Sequence, residues 1–176
     1  MKHSRTVGLD VATAADSDRL SNLLELYIHD LSEVFPHVEL GPDCRFGYPR
    51  LPLYWSEPDR RFAFFIQCDG RVAGFALVTR GSPASADPDV LDVAEFFVAR
   101  KHRRAGVGRD AAFLLWNRFP GRWTVRVLEE NRGALAFWSN VASEFADGTV
   151  SESTLPGEPD AWRVFSFESR REGAAS

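Results

Sequence analysis

The spacing of apolar residues changes period several times along the chain, and each change marks an element. Val7, Leu9 and Val11 alternate with other residues over Thr6–Val11, a strand pattern. Asp16, Ser17 and Asp18 are N-cap candidates. Leu20, Leu23, Leu24, Tyr27, Ile28, Leu31, Val34 and Phe35 then recur at helical spacing until Pro36. The stretch from His37 to Glu57 carries Gly, Pro and the aromatics Phe46, Tyr48, Tyr54 and Trp55, and is too long for a passive connector. Arg61–Gln67 and Val72–Thr79 read as two strands of a hairpin joined at Asp69-Gly70. A Pro/Ser loop over 81–88 leads to a strand at Val90–Val98. A helix is expected over Arg109–Phe119, with Phe113, Leu114, Leu115 and Trp116 on its buried side, stopped by Pro120-Gly121. A strand follows at Trp123–Leu128, then a helix at Gly133–Val141 with Asn131 as its N-cap. Strands at Phe145–Ser153 and Trp162–Glu168 close the pattern, and Arg170–Ser176 reads as a frayed tail.

This order implies a mixed α/β sheet. The 176 residues suit one domain over 1–176, 44% hydrophobic with 14 Phe and 5 Trp, which is a globular composition rather than a disordered one. The formal net charge of -4 argues against nucleic acid as the main partner. Cys44 and Cys68 form neither a metal spacing nor a disulfide framework, so no metal is expected and a reducing compartment is the simple reading. No run approaches the roughly 18 apolar residues of a membrane span, and the polar start is not followed by an apolar core. The expectation is a cytoplasmic protein without a membrane partner.

The densest chemistry lies between the strand ending at Val98 and the next helix. Arg103-Arg104-Ala105-Gly106-Val107-Gly108 is a glycine turn whose backbone can approach a ligand closely. It is followed by helix N–H groups without intrahelical partners and a dipole that favours anions. Arg100, Lys101, Arg103, Arg104 and Arg109 make a local cationic cluster in an acidic chain, which suits a small polyanion. The same residues also suit a solvated basic loop, since short glycine patterns are weak. The turn lacks the Lys-Ser/Thr of an NTP-binding loop and the three glycines of a dinucleotide fingerprint.

This turn resembles the Gln/Arg-x-x-Gly-x-Gly/Ala signature of the GNAT superfamily of N-acetyltransferases. Downstream, Asn131-Arg132-Gly133-Ala134-Leu135-Ala136-Phe137-Trp138 is similar to that family's Asn-x-x-Ala-x-x-Phe-Tyr helix. The hairpin leading into Val72–Ala76 resembles its second and third strands, so the similarity covers most of Phe62–Trp138. The resemblance implies a mixed, mostly antiparallel sheet flanked by helices, with a central splayed parallel strand pair formed by Val90–Val98 and Trp123–Leu128. It implies acetyl-CoA in the V between them, its arm against Phe96, Phe97 and Val98. The pyrophosphate would meet the turn from Arg103 through Arg104, Ala105, Gly106, Val107 and Gly108 to Arg109. Asn131 is then either a cofactor contact or simply an N-cap.

The implied acceptor is a primary amine of a small molecule or peptide, which must lose a proton to attack. Glu95 stands where many relatives carry a base; the alternative is an exposed strand carboxylate, and Asp92 is the weaker candidate. Glu129 and Glu130 are placed to attract a cationic substrate. Tyr27, Tyr54 and Trp55, with Tyr48, His29 and Asp30, are the candidates for the acceptor pocket. Trp138 departs from the pattern, standing at the cofactor helix where relatives place a Tyr that protonates the departing thiolate. An indole is no practical general acid. This leaves three readings: an acetyltransferase acting in a ternary complex, a non-catalytic CoA-binding module, and, more weakly, an anion- or nucleic-acid-binding domain. A homodimer is left open.

Overall fold

A computed structural model describes residues 5–157 and 161–170. Seven strands form one sheet in the order β1-β2-β3-β4-β5-β7-β6. These are β1 (Val7–Val11), β2 (Arg61–Cys68), β3 (Arg71–Arg80), β4 (Leu91–Val98), β5 (Gly121–Leu128), β6 (Ser151–Leu155) and β7 (Trp162–Ser169). The helices are α1 (Ser17–Leu31), α2 (Leu53–Ser56), α3 (Val107–Arg118) and α4 (Arg132–Phe145). Every neighbouring pair is antiparallel except β4 and β5. The β2–β3 hairpin turns on Asp69 and Gly70, both at positive φ (51° and 73°), which matches the twist of the flanking strands.

Period-2 alternation gives the sheet two apolar faces. Ala63, Phe65, Phe75, Leu77 and Phe97 pack under α1 and α2 with Leu20, Leu24 and Tyr54. Phe64, Ala76, Val78, Leu91, Val93, Trp123 and Val125 pack under α3 and α4 with Leu115, Trp116, Trp138 and Val141. Burying such large side chains stabilises each face by about 1.5–3 kcal/mol per residue.

Four expectations are corrected. First, α1 ends at Leu31 rather than Phe35: the Ser32 hydroxyl donates to the His29 carbonyl (2.7 Å), and Phe35 leaves the helix to pack on Trp162 and His37. Second, Leu114 is not on the buried side of α3. The stripe runs Val107, Ala111, Ala112, Leu115, Trp116, and Leu114 stays 40% exposed. Third, no strand starts at Phe145. The apolar spacing Trp138, Val141, Ala142, Phe145 keeps α4 helical to that residue, with Phe145 against Trp116 and Phe167. The strand begins only at Ser151, and α3 starts two residues earlier than expected. In the tail expected to fray, residues 171–176 lie outside the described ones.

Two irregularities place the site. Pairing between β4 and β5 covers only Leu91–Val93 against Trp123–Val125, yet the strands continue to Val98 and Leu128. Beyond those pairs they splay into a V. At the same point β4 bulges: Val78 pairs with Val93 but Leu77 with Glu95, leaving Ala94 as the extra residue. Unbroken alternation would send Glu95 to the α3/α4 face with Leu91 and Val93. The bulge re-aims it, so Phe96 packs toward α4 while Glu95 and Phe97 face α1.

Candidate functional site

Two cavities meet at this splayed end of β4. One, about 730 Å³, runs along the V between α1, β4, α3 and α4. The other, about 630 Å³, lies on the α1/α2 face under β3, β4 and β5. Phe96, Phe97 and Val98 line the first, and Glu95 and Ala94 line the second.

The larger cleft gathers the residues expected at the cofactor. Arg103, Arg104, Gly106, Gly108, Arg109, Asn131 and Trp138 all line it beside Phe96–Val98. Ala105 and Val107 do not. The Ala105 carbonyl accepts a bond from Arg5 (2.6 Å), and the Val107 side chain is buried beneath Ile66 and Ala111. Their part in any ligand contact is confined to the backbone. Gly106 has φ +81°, a left-handed conformation that turns the chain straight into α3. The first intrahelical bond, from Asp110 N–H to the Gly106 carbonyl (2.9 Å), leaves the preceding N–H groups of α3 without helical partners. At Gly108 a Cβ would lie 3.1 Å from the Phe137 ring, a tight contact that the ring would have to relieve by shifting a few tenths of an ångström. The shape and donors of the cleft therefore fit an elongated ligand carrying phosphate groups.

The cations around the turn are differently engaged. Arg103 donates from Nε to the Val98 carbonyl (2.7 Å) and lies over the Phe97 ring. It also shares Asp30 of α1 with Arg100 (2.5 and 2.7 Å). Burial alone would raise the Asp30 pKa, but these two guanidinium groups outweigh it and hold the carboxyl below its usual range. Arg109 is tied to Glu144 and Asp110 and stacks on Phe113. Arg104 sits at φ +58°, unusual for a residue with a Cβ.

Asn131 is the N-cap of α4, its Oδ1 accepting from the Ala134 N–H at 3.1 Å. Removing that bond in Asn131→Ala is expected to lower stability by about 1 kcal/mol, measured by urea unfolding. Trp138 is buried, edge-on to Phe96 (5.0 Å) and Phe137 (4.8 Å), with one side on the cleft.

Glu95 is largely buried, with an edge on the smaller cavity. The Tyr27 hydroxyl donates to its Oε2 (2.6 Å) and the Tyr48 hydroxyl to its Oε1 (3.0 Å). Burial raises the Glu95 pKa above the usual carboxylate value, and the two phenols with Arg126 and Arg50 counter only part of that rise. Burial and the Glu95 charge also push the Tyr27 and Tyr48 phenols well above their usual value. The same causes move Tyr54 up to about 12. Tyr27 lines the larger cleft, and its hydroxyl bonds the carboxylate that lines the other cavity.

Tyr48 reaches Glu95 because the long loop is docked on α1. Glu25 accepts from the N–H groups of Phe46 (2.8 Å) and Gly47 (2.9 Å), and Arg45 reaches Ser21 (2.8 Å). Tyr54 lines the smaller cavity, whereas Trp55 lines neither and points its indole N–H toward Ser17 (3.4 Å). His29 packs beside Phe46. Asp92 is not free to act as a base: it is fully buried, bonded to Arg126 (2.7 Å), Thr124 (2.6 Å) and Ser82 (3.0 Å). Glu129 is held near Arg163 (3.5 Å), and neither it nor Glu130 lines either of the two cavities.

Arg126 and the arginines around it are not among the residues expected from the sequence. Its only trace was alternation in β5, where Thr124 and Arg126 interrupt Trp123, Val125 and Val127 and so mark a polar face.

Residues 21–141 match the family model described as the Acetyltransferase (GNAT) family. No curated protein sequence matches the chain. Among solved structures, the chain is similar to the aminoglycoside acetyltransferase AAC(6')-Ib in complex with coenzyme A. That match has 13% identity and a TM-score of 0.65, over 93% of this chain and 95% of the other. It is also similar to an acetyltransferase from Thermus thermophilus (16% identity, TM-score 0.61, 93% and 97% covered). A third is spermidine N-acetyltransferase from Vibrio cholerae in complex with CoA and spermine (11% identity, TM-score 0.61, 93% and 95% covered). At these identities the likeness is one of fold, including the single parallel strand pair within a mixed sheet.

Proposed function

Because the chain belongs to the GNAT acetyltransferase family, we propose that it transfers an acetyl group from acetyl-CoA to a primary amine, by direct attack in a ternary complex with Glu95 as base. The observation that carries this is the carboxylate itself. Glu95 is largely buried, has a raised pKa, and stands at the stretch of β4 where the linings of the two cavities adjoin.

When bound, acetyl-CoA supplies an electrophilic thioester; the chain's own residues position it and handle the proton. The turn from Arg103 to Arg109 holds the pyrophosphate by the free N–H groups of α3 and by Arg104. Phe96 to Val98 present the edge of β4, unpaired on the β5 side, to the arm. Glu95 takes a proton from the amine at a carboxylate oxygen. A raised carboxyl pKa narrows the gap to the ammonium and makes the transfer easier than to an ordinary carboxylate. Tyr27 Oη is the group placed to pass a proton from Glu95 toward the larger cleft, the task left open by Trp138. A relay that gives and takes together never forms the tyrosinate that burial disfavours.

Tyr27→Phe is expected to lower kcat about 10²-fold, at the weak end of the range for proton transfer by a positioned group. It also removes a hydrogen bond that lowers the Glu95 pKa. The acidic limb of the kcat/KM profile therefore moves to higher pH, because more alkali is needed to ionise the base. An unmoved limb would show that Tyr27 does not govern the catalytic carboxylate.

The proposed function is tested by calorimetric titration with acetyl-CoA, followed by a thiol-release screen over amines. Saturable binding with amine-dependent thiol release supports it. Binding without release under any amine would instead identify a non-catalytic CoA-binding module, and no binding at all would remove both.

A further inference from the structure

The smaller cavity is lined by five arginines, Arg50, Arg60, Arg61, Arg80 and Arg126, against two carboxylates, Glu57 and Glu95. The whole chain has 21 Lys and Arg and a net charge of -4, so this concentration of cations runs against its overall balance. The five come from four segments: the loop before α2 (Arg50), the turn into β2 and its first residue (Arg60 and Arg61), the end of β3 (Arg80), and β5 (Arg126).

Their pairing is incomplete. Arg61 is bound to Glu57 (2.7 Å) and Arg126 to Asp92 (2.7 Å). Arg80 is 3.9 Å from Asp89, a carboxylate 79% exposed, and such a contact is largely screened. Arg50 and Arg60 have no carboxylate within ion-pair distance among the described residues. The Arg60 guanidinium leans over Gly81, 3.5 Å from where a Cβ would stand. The Tyr54 hydroxyl on the same wall is buried without a hydrogen-bond partner. A cationic wall with unpaired guanidinium forks and an orphaned hydroxyl is suited to an anion.

We propose that the acceptor is an amine that also carries a carboxylate or phosphate, such as an amino acid or a phosphorylated small amine, and not a polyamine or aminoglycoside. This rests on the acetyltransferase reading and specifies its second substrate. The anionic group sits among Arg50, Arg60 and Arg80 while the amine lies at Glu95. The same arginines disfavour a second positive charge in the cavity, so they push the bound ammonium toward its neutral, nucleophilic form. A polycation meets that field without a compensating group.

The experiment compares thiol release at saturating acetyl-CoA from glutamate and O-phosphoserine with release from spermidine and kanamycin. The anionic amines are expected to give the higher kcat/KM, and the preference between the first two separates carboxylate from phosphate recognition. Arg50→Gln with Arg60→Gln is expected to raise KM for the preferred anionic amine about 10- to 100-fold, with acetyl-CoA affinity unchanged in calorimetry. Equal or better use of spermidine or kanamycin, or a KM indifferent to the two substitutions, overturns the proposal while leaving an acetyltransferase. If no amine turns over, N-acetylglutamate and N-acetylspermidine are titrated into CoA-saturated protein. Selective, arginine-dependent binding of the first supports the proposal, and its absence overturns it. Titration with acetyl-CoA alone judges the donor site separately.

Discussion

Glu95→Gln is expected to lower kcat about 10²- to 10⁴-fold, the range for removing a positioned general base, with acetyl-CoA still binding in calorimetry. The substitution keeps the volume of the side chain but replaces an oxygen acceptor by an NH₂ donor. Both oxygens now accept from phenols, Tyr27 at 2.6 Å and Tyr48 at 3.0 Å, so one phenol loses its acceptor. The wild-type kcat/KM profile should fall on its acidic side as Glu95 is protonated, and the variant should lose that limb. A variant that keeps both the limb and most of the rate would show that the base lies elsewhere.

Stability should move the other way. Burial raises the Glu95 pKa, so the folded chain retains a proton that the unfolded chain has already released. The resulting stabilisation is complete below the carboxyl's unfolded pKa and disappears as pH rises through the folded one. Above that window the wild type carries a buried charge that Gln does not. The variant's Tm there is expected to equal or exceed the wild type's, which separates lost chemistry from lost folding.

The second large effect is on the fold. Asp92→Ala is expected to cost about 3–5 kcal/mol, the usual consequence of leaving one member of a buried ion pair alone. Asp92 is 0% exposed, and the Arg126 side chain is 19% exposed. Burial would lower the Arg126 pKa, and the bonds from Asp92 outweigh it, holding the guanidinium's pKa above its usual value. Without Asp92 that cation is buried beside Thr124 with its main partner gone. Urea unfolding should show a lower midpoint at unchanged slope. Asp92→Leu combined with Arg126→Leu should recover most of the loss, since a packed apolar pair commonly replaces a buried ion pair without penalty. A midpoint unchanged in Asp92→Ala would mean that the pair contributes little.

What the sequence disclosed depended on range. The Asp69-Gly70 hairpin, the Arg103–Gly108 turn and the Asn131 cap are written in a few consecutive residues, because positive φ, free N–H groups and a side-chain acceptor are local requirements. The polar edge strand β6, Ser-Glu-Ser-Thr-Leu, buries almost nothing and so leaves no hydrophobic period. The strand expected from Phe145 is instead the end of α4, because the apolar side chain of Phe145 completes a helical stripe. Trp55 packs near the start of α1 and lines neither cavity, while Tyr48 reaches Glu95 from a loop that Glu25 anchors, and neither placement is a local property of the sequence. The arginine-lined cavity was invisible for a stronger reason. Arg50, Arg60, Arg80 and Arg126 lie far apart along the chain, and only sheet register together with loop docking brings them together.

The extra residue at Ala94 has a consequence for how such a protein can change over generations. It lets consecutive residues of one strand line two cavities, Ala94 and Glu95 the smaller and Phe96 to Val98 the larger. The walls of the two compartments come largely from different segments: α3 and α4 for the first, the loop before β2 and the end of β3 for the second. Substitutions in those loops can therefore reshape the smaller cavity while the larger cleft keeps its walls. Descendants are free to alter one cavity without rebuilding the other.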